Sequence, residues 1–444
     1  MNKFTGTSFA YSGGLGLIAG VVAALFMGIV ELGTQLLWQI IPRAMGDPFI
    51  YPLIACSLGG IAIGFFVEHV GKYPQVLSET LDVSQETGRI EYKKGQLLFN
   101  ILGAMLVLLF GASVSPEAAL IVIVGGVATL FCDRLKVSLP QRKDLLEFAS
   151  GTVLGVIFTA PLFGVGSALE KDDLKNITES KLKRYVLFIF ATFTGFIGYL
   201  ITYGLFPNRE QVFAIQRMET NFSWQGILLL IPTIVLGAFF GKFFLWMQEQ
   251  AKTINQRVKR PLPLAIAAGV LLGILGMLSP YFLFSGEHNL LSFTRQAESM
   301  NLFIILLIAF GKVAITMICL ACNWRGGTIF PMIFSSVAVA MALIKVFPYS
   351  AGLLVAIFTA SACAVIMKRP FAAACLFLFL FPVQLFLWIW LAGFLGNLLI
   401  ETVTGGGGRP TFKKPVMPKK APKKAAPKKT TSSEASRSRL NRHK

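Results

Sequence analysis

Long apolar runs recur along this chain, and no other feature restricts its fold as much. Gly14 to Ile41, Val186 to Leu205, Gly226 to Met247, Pro263 to Phe284, Leu302 to Leu320 and Ala351 to Met367 are all of this kind. About 17–25 such residues in a helix cross the hydrocarbon core of a bilayer. Hydrocarbon offers no partner to a free N–H or C=O, so a spanning segment must satisfy its own backbone, which a helix does. The expected fold is therefore an all-α polytopic integral membrane protein. Composition agrees: 55% of the 444 residues are hydrophobic and 14% charged, where a soluble domain carries about 25% charged. The first run is about twice the length of a signal h-region and only Lys3 precedes it, so it reads as a retained membrane segment.

Two unequal parts are expected. Residues 1–404 form the membrane body. At residue 405 the composition changes to four glycines, then Lys pairs among Pro and Ala, then Ser and Arg. Residues 405–444 hold nine Lys and four Arg against Glu434, twelve of the formal net charge of +19. Such a segment buries no core and is expected to be a disordered basic tail. By the positive-inside rule it lies in the cytoplasm, and it reads first as a solvated tail that sets topology, with contact with anionic lipid headgroups next; no nucleic-acid partner is expected. Further basic loops are Arg134 to Lys143, Lys171 to Arg184 and Lys252 to Arg260. Some apolar runs, Leu97 to Leu109 and Leu120 to Phe131 among them, are short and bounded by Gly or Pro. They read as discontinuous helices that end inside the membrane and line a cavity.

The six cysteines lie mostly in apolar stretches and read as packing residues. His69, His288 and His443 are far apart, and neither residue type has metal-ligand spacing. No metal or cofactor is expected. No nucleophile–base or paired-carboxylate set points to an enzyme.

Three polar breaks carry the functional signal. In Ser113-Val-Ser-Pro116-Glu117-Ala-Ala-Leu120, a carboxylate stands among apolar residues, where it is costly without a partner or a water-filled cavity. Pro116 suits the start of a helix, and the exposed N–H groups there attract anions. Glu117 is thus either a carboxylate competing with an anion for that field or an ordinary helix-start Glu held by the dipole. The second break, Cys322 to Phe334, contains Gly326-Gly327 and Pro331. Without side chains, the glycines let backbone approach a ligand, and the amides of Ile329 and Phe330 are then anion donors; the alternative is a plain interhelical turn. The third, Gly71-Lys72-Tyr73-Pro74, reads as a helix end and a new start. Glu287 and His288 form a further polar island, read as a loop facing solvent. Glu31, within the first membrane helix, is expected to be partnered or interior-facing.

These motifs, in this order, resemble those of the ClC family of voltage-gated chloride channels and chloride–proton antiporters. Glu117 stands where the family carries its gating glutamate. Gly326-Gly-Thr-Ile-Phe-Pro331 is similar to the family's Gly-Gly-x-Phe-x-Pro loop, with Ile329 at the aromatic position. Pro161 to Glu170 resembles a family segment ending in Glu, and Lys312 also fits. The resemblance spans roughly residues 15–400. It implies an inverted repeat of tilted and broken helices, with halves of about 12–206 and 225–400. It further implies a homodimer in the cell membrane with one pore per subunit, chloride or another small anion as substrate, and anion sites at Gly71, Lys72, Gly327, Ile329 and Phe330.

Departures from the family refine the expectation. The first loop's usual Ser is Gly71 here, followed by Lys72. The exchangers' second internal Glu is Lys171, which favours a passive channel or uniporter over an anion/proton antiporter. The pore-lining Tyr has no match; Asn397 is the weak substitute, with helix packing as its other role. A non-conducting membrane scaffold with a recruiting tail is the alternative from another class.

Overall fold

The computed structural model describes residues 6–74, 90, 95–171, 179–207, 214–258 and 260–404. The expected basic tail, most of residues 75–94 and the helix start expected after Pro74 lie outside them. The described residues are helical, and nine helices among them are long and apolar enough to cross a membrane. The main helices in the first part of the chain are α1 (Gly6–Gln35), α2 (Tyr51–His69), α3 (Gln96–Leu109), α4 (Glu117–Leu135), α5 (Leu139–Ile157), α6 (Pro161–Lys171) and α7 (Glu179–Tyr203). The second part holds α8 (Leu230–Arg257), α9 (Pro261–Leu278), α10 (Leu290–Ala297), α11 (Leu302–Ala321), α12 (Ile329–Val346), α13 (Ala351–Met367), α14 (Pro370–Phe377) and α15 (Phe386–Val403). The first helix continues through a π-turn, Leu36–Ile40, into Ile41–Ala44.

Sequence reading placed most of these segments well. The run Ala351 to Met367 is the whole of α13, and Leu302 to Leu320 is α11 less one residue. Leu120 to Phe131 is a correction: it is no short fragment but the middle of α4, 19 residues long. The helix takes in Glu117 at one end and Asp133 and Arg134 at the other, polar residues that a hydropathy reading trims away.

Small residues decide which helices touch. A Cβ on Gly16 or Gly20 of α1 would strike the backbone of Ala191 or Gly195 in α7. Gly60 and Gly64 of α2 meet Ala265 and Leu262 of α9 in the same way, and Gly237 and Gly241 of α8 meet Phe358 and Ala362 of α13. Each pair is four residues apart, so the two glycines share one helix face. Between helices in lipid there is no hydrophobic drive, and close backbone approach supplies dispersion contacts instead.

These contacts also orient the bundle. Residues increase together along α1 and α7, so the two are parallel; α2 and α9 run opposite ways. The basic loop before Arg184 starts α7, and the loop ending at Arg260 starts α9. The end of α1 with Glu31, and residues 279–289 after α9, therefore lie at the end of the bundle away from the basic loops.

Replacing Gly20 with Leu is expected to force α1 and α7 apart at a cost of about 1–3 kcal/mol, the usual penalty of overpacking. Gly14→Leu on the same helix meets open space and should cost little. Thermal unfolding followed by size-exclusion chromatography checks the contrast, and equal midpoints would contradict this packing.

Candidate functional site

The breaks before α4 and α12 are hydrogen-bonded to each other. The Ser115 N–H donates to the Gly327 carbonyl at 3.0 Å, and the Gly327 N–H donates to the Ser115 carbonyl at 2.8 Å. This single antiparallel bridge brings together residues more than two hundred positions apart. It sets the N-termini of α4 and α12 side by side, with their unused N–H groups converging.

Glu117 is the first residue of α4, preceded by Pro116, as the sequence led one to expect. Its side chain is fully buried. Oε1 accepts the Ile329 backbone N–H at 3.0 Å, while Oε2 has no hydrogen-bond partner among the described residues. The carboxylate thus sits on the amide that sequence analysis assigned to an anion. Gly327 makes this possible, because a Cβ there would collide with the Glu117 carboxyl. Gly326 is equally confined, against Val114. Pro331 is buried in the first turn of α12. Phe330 is buried as well, its ring 4.7 Å from that of Phe158 at the end of α5.

The loop before α12 is held on several sides. The Trp324 indole N–H donates to the Ala265 carbonyl at 3.0 Å. The Asn255 amide donates to the carbonyls of Leu320 and Ala321 and to Asn323 Oδ1, at 3.0–3.1 Å. Arg325 reaches the carbonyls of Lys72 and Pro74 at 3.0 and 3.3 Å, so the third break is tied to the second. Gly71 has a φ of +127°, a conformation that strains a residue with a Cβ, so a Ser would not fit this backbone readily. The Lys72 ammonium points to the Asn255 carbonyl at 3.5 Å, in an exposed position.

Glu170 is placed differently from Glu117. Its two carboxylate oxygens accept the N–H groups of Phe371 and Ala372, each at 3.1 Å, and so cap α14. Arg369 beside it donates to Ser167. Lys171 is the last residue of α6. Asn397 donates to Glu401 one turn further along its own helix, at 3.1 Å, a local bond and not a contact between helices.

A cavity of about 690 Å³ opens toward the basic loops and runs up to this site. Lys143, Arg184 and Arg369 line it together with Asp144 and Glu147, and it reaches Ile121, Thr328 and Ile329, close in sequence to Glu117 and Gly327. Arg184 is shared with Asp144, at 2.9 Å, and Glu147. The walls carry three basic side chains against two acidic ones, and the cavity reaches Ile329, whose amide holds Glu117. Among the described residues no cluster of His, Cys, Asp and Glu could hold a metal ion.

One expectation is overturned. Glu287 and His288 do not form a loop facing solvent. The Glu287 side chain is buried, and Ser285 donates to its Oε2. The amino group of buried Lys312 donates to the carbonyls of Phe282, Leu283 and Phe284 in the same segment. A turn-like sequence of Ser, Gly, Glu and His reads as solvated. Lys312, 25 positions later, is the residue that brings it inward, and only tertiary packing reveals this.

Comparison with known proteins agrees with the geometry. Residues 59–401 match the family model described as voltage gated chloride channel. YfeO of Escherichia coli O17:K52:H18 (strain UMN026 / ExPEC), a protein named for ion transport, is 25% identical over 343 residues, covering 74% of this chain and 77% of the relative. The protein of the same name from Escherichia fergusonii is 24% identical over 346 residues, with the same coverage. Among solved structures, a slow cyanobacterial Cl⁻/H⁺ antiporter superposes with a TM-score of 0.70 at 19% identity, covering 91% of this chain and 96% of that one. A CLC-type fluoride/proton antiporter gives 0.68 at 15% identity, covering 89% and 97%. These likenesses establish the fold, a CLC transporter fold. The chain belongs to the voltage gated chloride channel family, whose members transport anions across membranes.

Proposed function

We propose that this protein conducts a small anion, chloride first, passively across the cell membrane, with Glu117 as its gate. The observation that carries the reading is the Glu117 carboxylate seated on the Ile329 amide, at the meeting of two helix N-termini. An ionised carboxylate there takes the donor that a permeating anion needs. Once protonated, it loses its charge-assisted bond, leaves, and the anion replaces it. Gly327 and the amides of Ile329 and Phe330 then substitute for part of the anion's hydration shell.

The positive-inside rule applied to the basic loops supports a cytoplasmic side for the cavity. Homodimeric assembly with one pathway per subunit follows the family pattern. Passive conduction is favoured over exchange by two residues. Lys171 occupies the position where the exchangers carry their second internal Glu, and a cation there cannot relay protons in that way. Glu170, the nearest carboxylate, is engaged by two backbone amides. Exchange is the second reading, because the two superposed structures are named as proton antiporters.

Chloride efflux from liposomes containing the purified protein, with proton flux recorded in parallel, separates the readings. Chloride movement without protons is the expected result; stoichiometric proton movement would establish exchange instead. The efflux is expected to rise on acidification, and Glu117→Gln should make it independent of pH. An efflux curve unaltered by that substitution would remove Glu117 from the gate.

Gly327→Ala provides an independent check, since the new methyl must push the carboxylate off the Ile329 amide. Higher chloride efflux at neutral pH and a weaker pH dependence are expected. Unchanged efflux at neutral pH would show that the seat at Ile329 does not close the path.

A further inference from the structure

The segment from Phe282 to His288 carries a second set of charged groups beside the gate. It is docked against the gate's own loop: the Phe284 N–H donates to the Gly111 carbonyl at 2.9 Å. Lys312 reinforces it from α11, giving protons to three carbonyls while lying 5.5 Å from the centre of the Phe334 ring in α12. Ser113 of the gate loop and Thr316, one turn beyond Lys312, share a hydrogen bond of 2.9 Å. The α12 helix that offers its amide to Glu117 therefore also supports the segment that holds Glu287.

Glu287 is buried, and α1, α4 and α11 each bring a charged group toward it. Glu117 of α4 lies within electrostatic reach. His288 Nε2 is 3.9 Å from Glu287 Oε1 and 3.7 Å from Glu31 Oε2 of α1. Lys312 of α11 faces it as well. Glu31 is further tied to Gln35 at 3.0 Å. Burial pushes the Glu287 carboxyl above the ordinary carboxylate range, against the pull of His288 and Lys312. The whole group lies at the end of the bundle away from the basic loops, on the side opposite the wide cavity. A buried carboxyl with this many charged neighbours is expensive to retain for packing alone.

We propose that Glu287 is a second carboxyl of the gate, whose charge sets the pH at which Glu117 takes up the proton that opens the anion path. The inference rests on the reading of Glu117 as the gate. Two neighbouring carboxylates in a poorly hydrated site resist double ionisation, so they titrate as a pair and not as two independent groups. An ionised Glu287 makes it harder for Glu117 to be ionised on its amide seat, and the gate opens at a higher pH than Glu117 alone would allow. His288, with Glu31 and Lys312, sets how readily Glu287 itself is charged. Glu287 is a positioning residue here: it acts through Glu117 and need not touch the anion.

The test is chloride efflux from liposomes carrying the full chain, measured against outer pH. Glu287→Gln is expected to move the midpoint of the pH curve toward acid, as removal of a like charge does. Glu287→Asp keeps the charge and should hold the wild-type midpoint, whereas a merely structural role would not discriminate Gln from Asp in this way. Ser285→Ala removes the hydroxyl donated to the carboxylate; it should shift the midpoint in the same direction by less, and it serves if the Gln variant does not fold. A wild-type midpoint in both Glu287→Gln and Ser285→Ala, with Glu117→Gln flat, overturns the role of Glu287 and leaves the gate standing. A Glu117→Gln curve identical to wild type overturns the gate reading itself, and this inference with it.

Discussion

Two backbone hydrogen bonds between Ser115 and Gly327 are the constraint on which the rest depends. They join the start of α4 to the start of α12, segments that chain entropy alone would keep apart. Each helix brings N–H groups without helical partners. In water these would be solvated and unremarkable. Inside a membrane body they must find an acceptor, and the acceptor in place is a side chain with a negative charge, Glu117. The other loops act to keep the bridge in register: Trp324 on Ala265, Asn255 on Leu320 and Ala321, Arg325 on Lys72 and Pro74.

The same logic separates two carboxylates that look alike in sequence. Both Glu117 and Glu170 meet the N–H groups of a helix start. Glu170 receives two of them, one on each oxygen, which makes it a closed cap. Glu117 receives one from the partner helix and leaves its other oxygen without a partner. A carboxylate held by one bond exchanges that bond for a proton or an anion far more easily than one held by two. The proposed difference in role between them rests on the count of donors around each group.

Much of this was legible in the chain itself. Apolar length gave the membrane helices, and Pro116-Glu117 and Gly326-Gly327 marked the two helix starts, because charge and glycine are conspicuous against hydrocarbon-compatible sequence. Other features were hidden for physical reasons. The glycine pairs Gly16/Gly20, Gly60/Gly64 and Gly237/Gly241 were present at a spacing of four, a signal of close helix contact that says nothing of which helix is the partner. The ends of α4 were obscured because buried and interfacial charges extend a helix past its apolar run. Glu287 misled because Lys312, which together with His288 makes its burial tolerable, stands far along the chain in α11, and no local pattern announces it.

Glycine at 327 explains why such a gate can work without moving the backbone. With no Cβ at that position, the space next to the Ile329 amide is shaped by backbone alone and admits either a carboxylate oxygen or a small anion. Exchange between the two occupants then requires only that one side chain rotate, while the bridge at Ser115 and the packing of Phe330 on Phe158 stay as they are. A site that had to open by separating α4 from α12 would break the Ser115–Gly327 bonds in a medium with no water to replace them, at several kcal/mol for each unsatisfied group. On the proposed role of Glu117, the rigid bridge and the movable carboxylate are therefore complementary requirements: the first keeps the amides aimed, and the second yields.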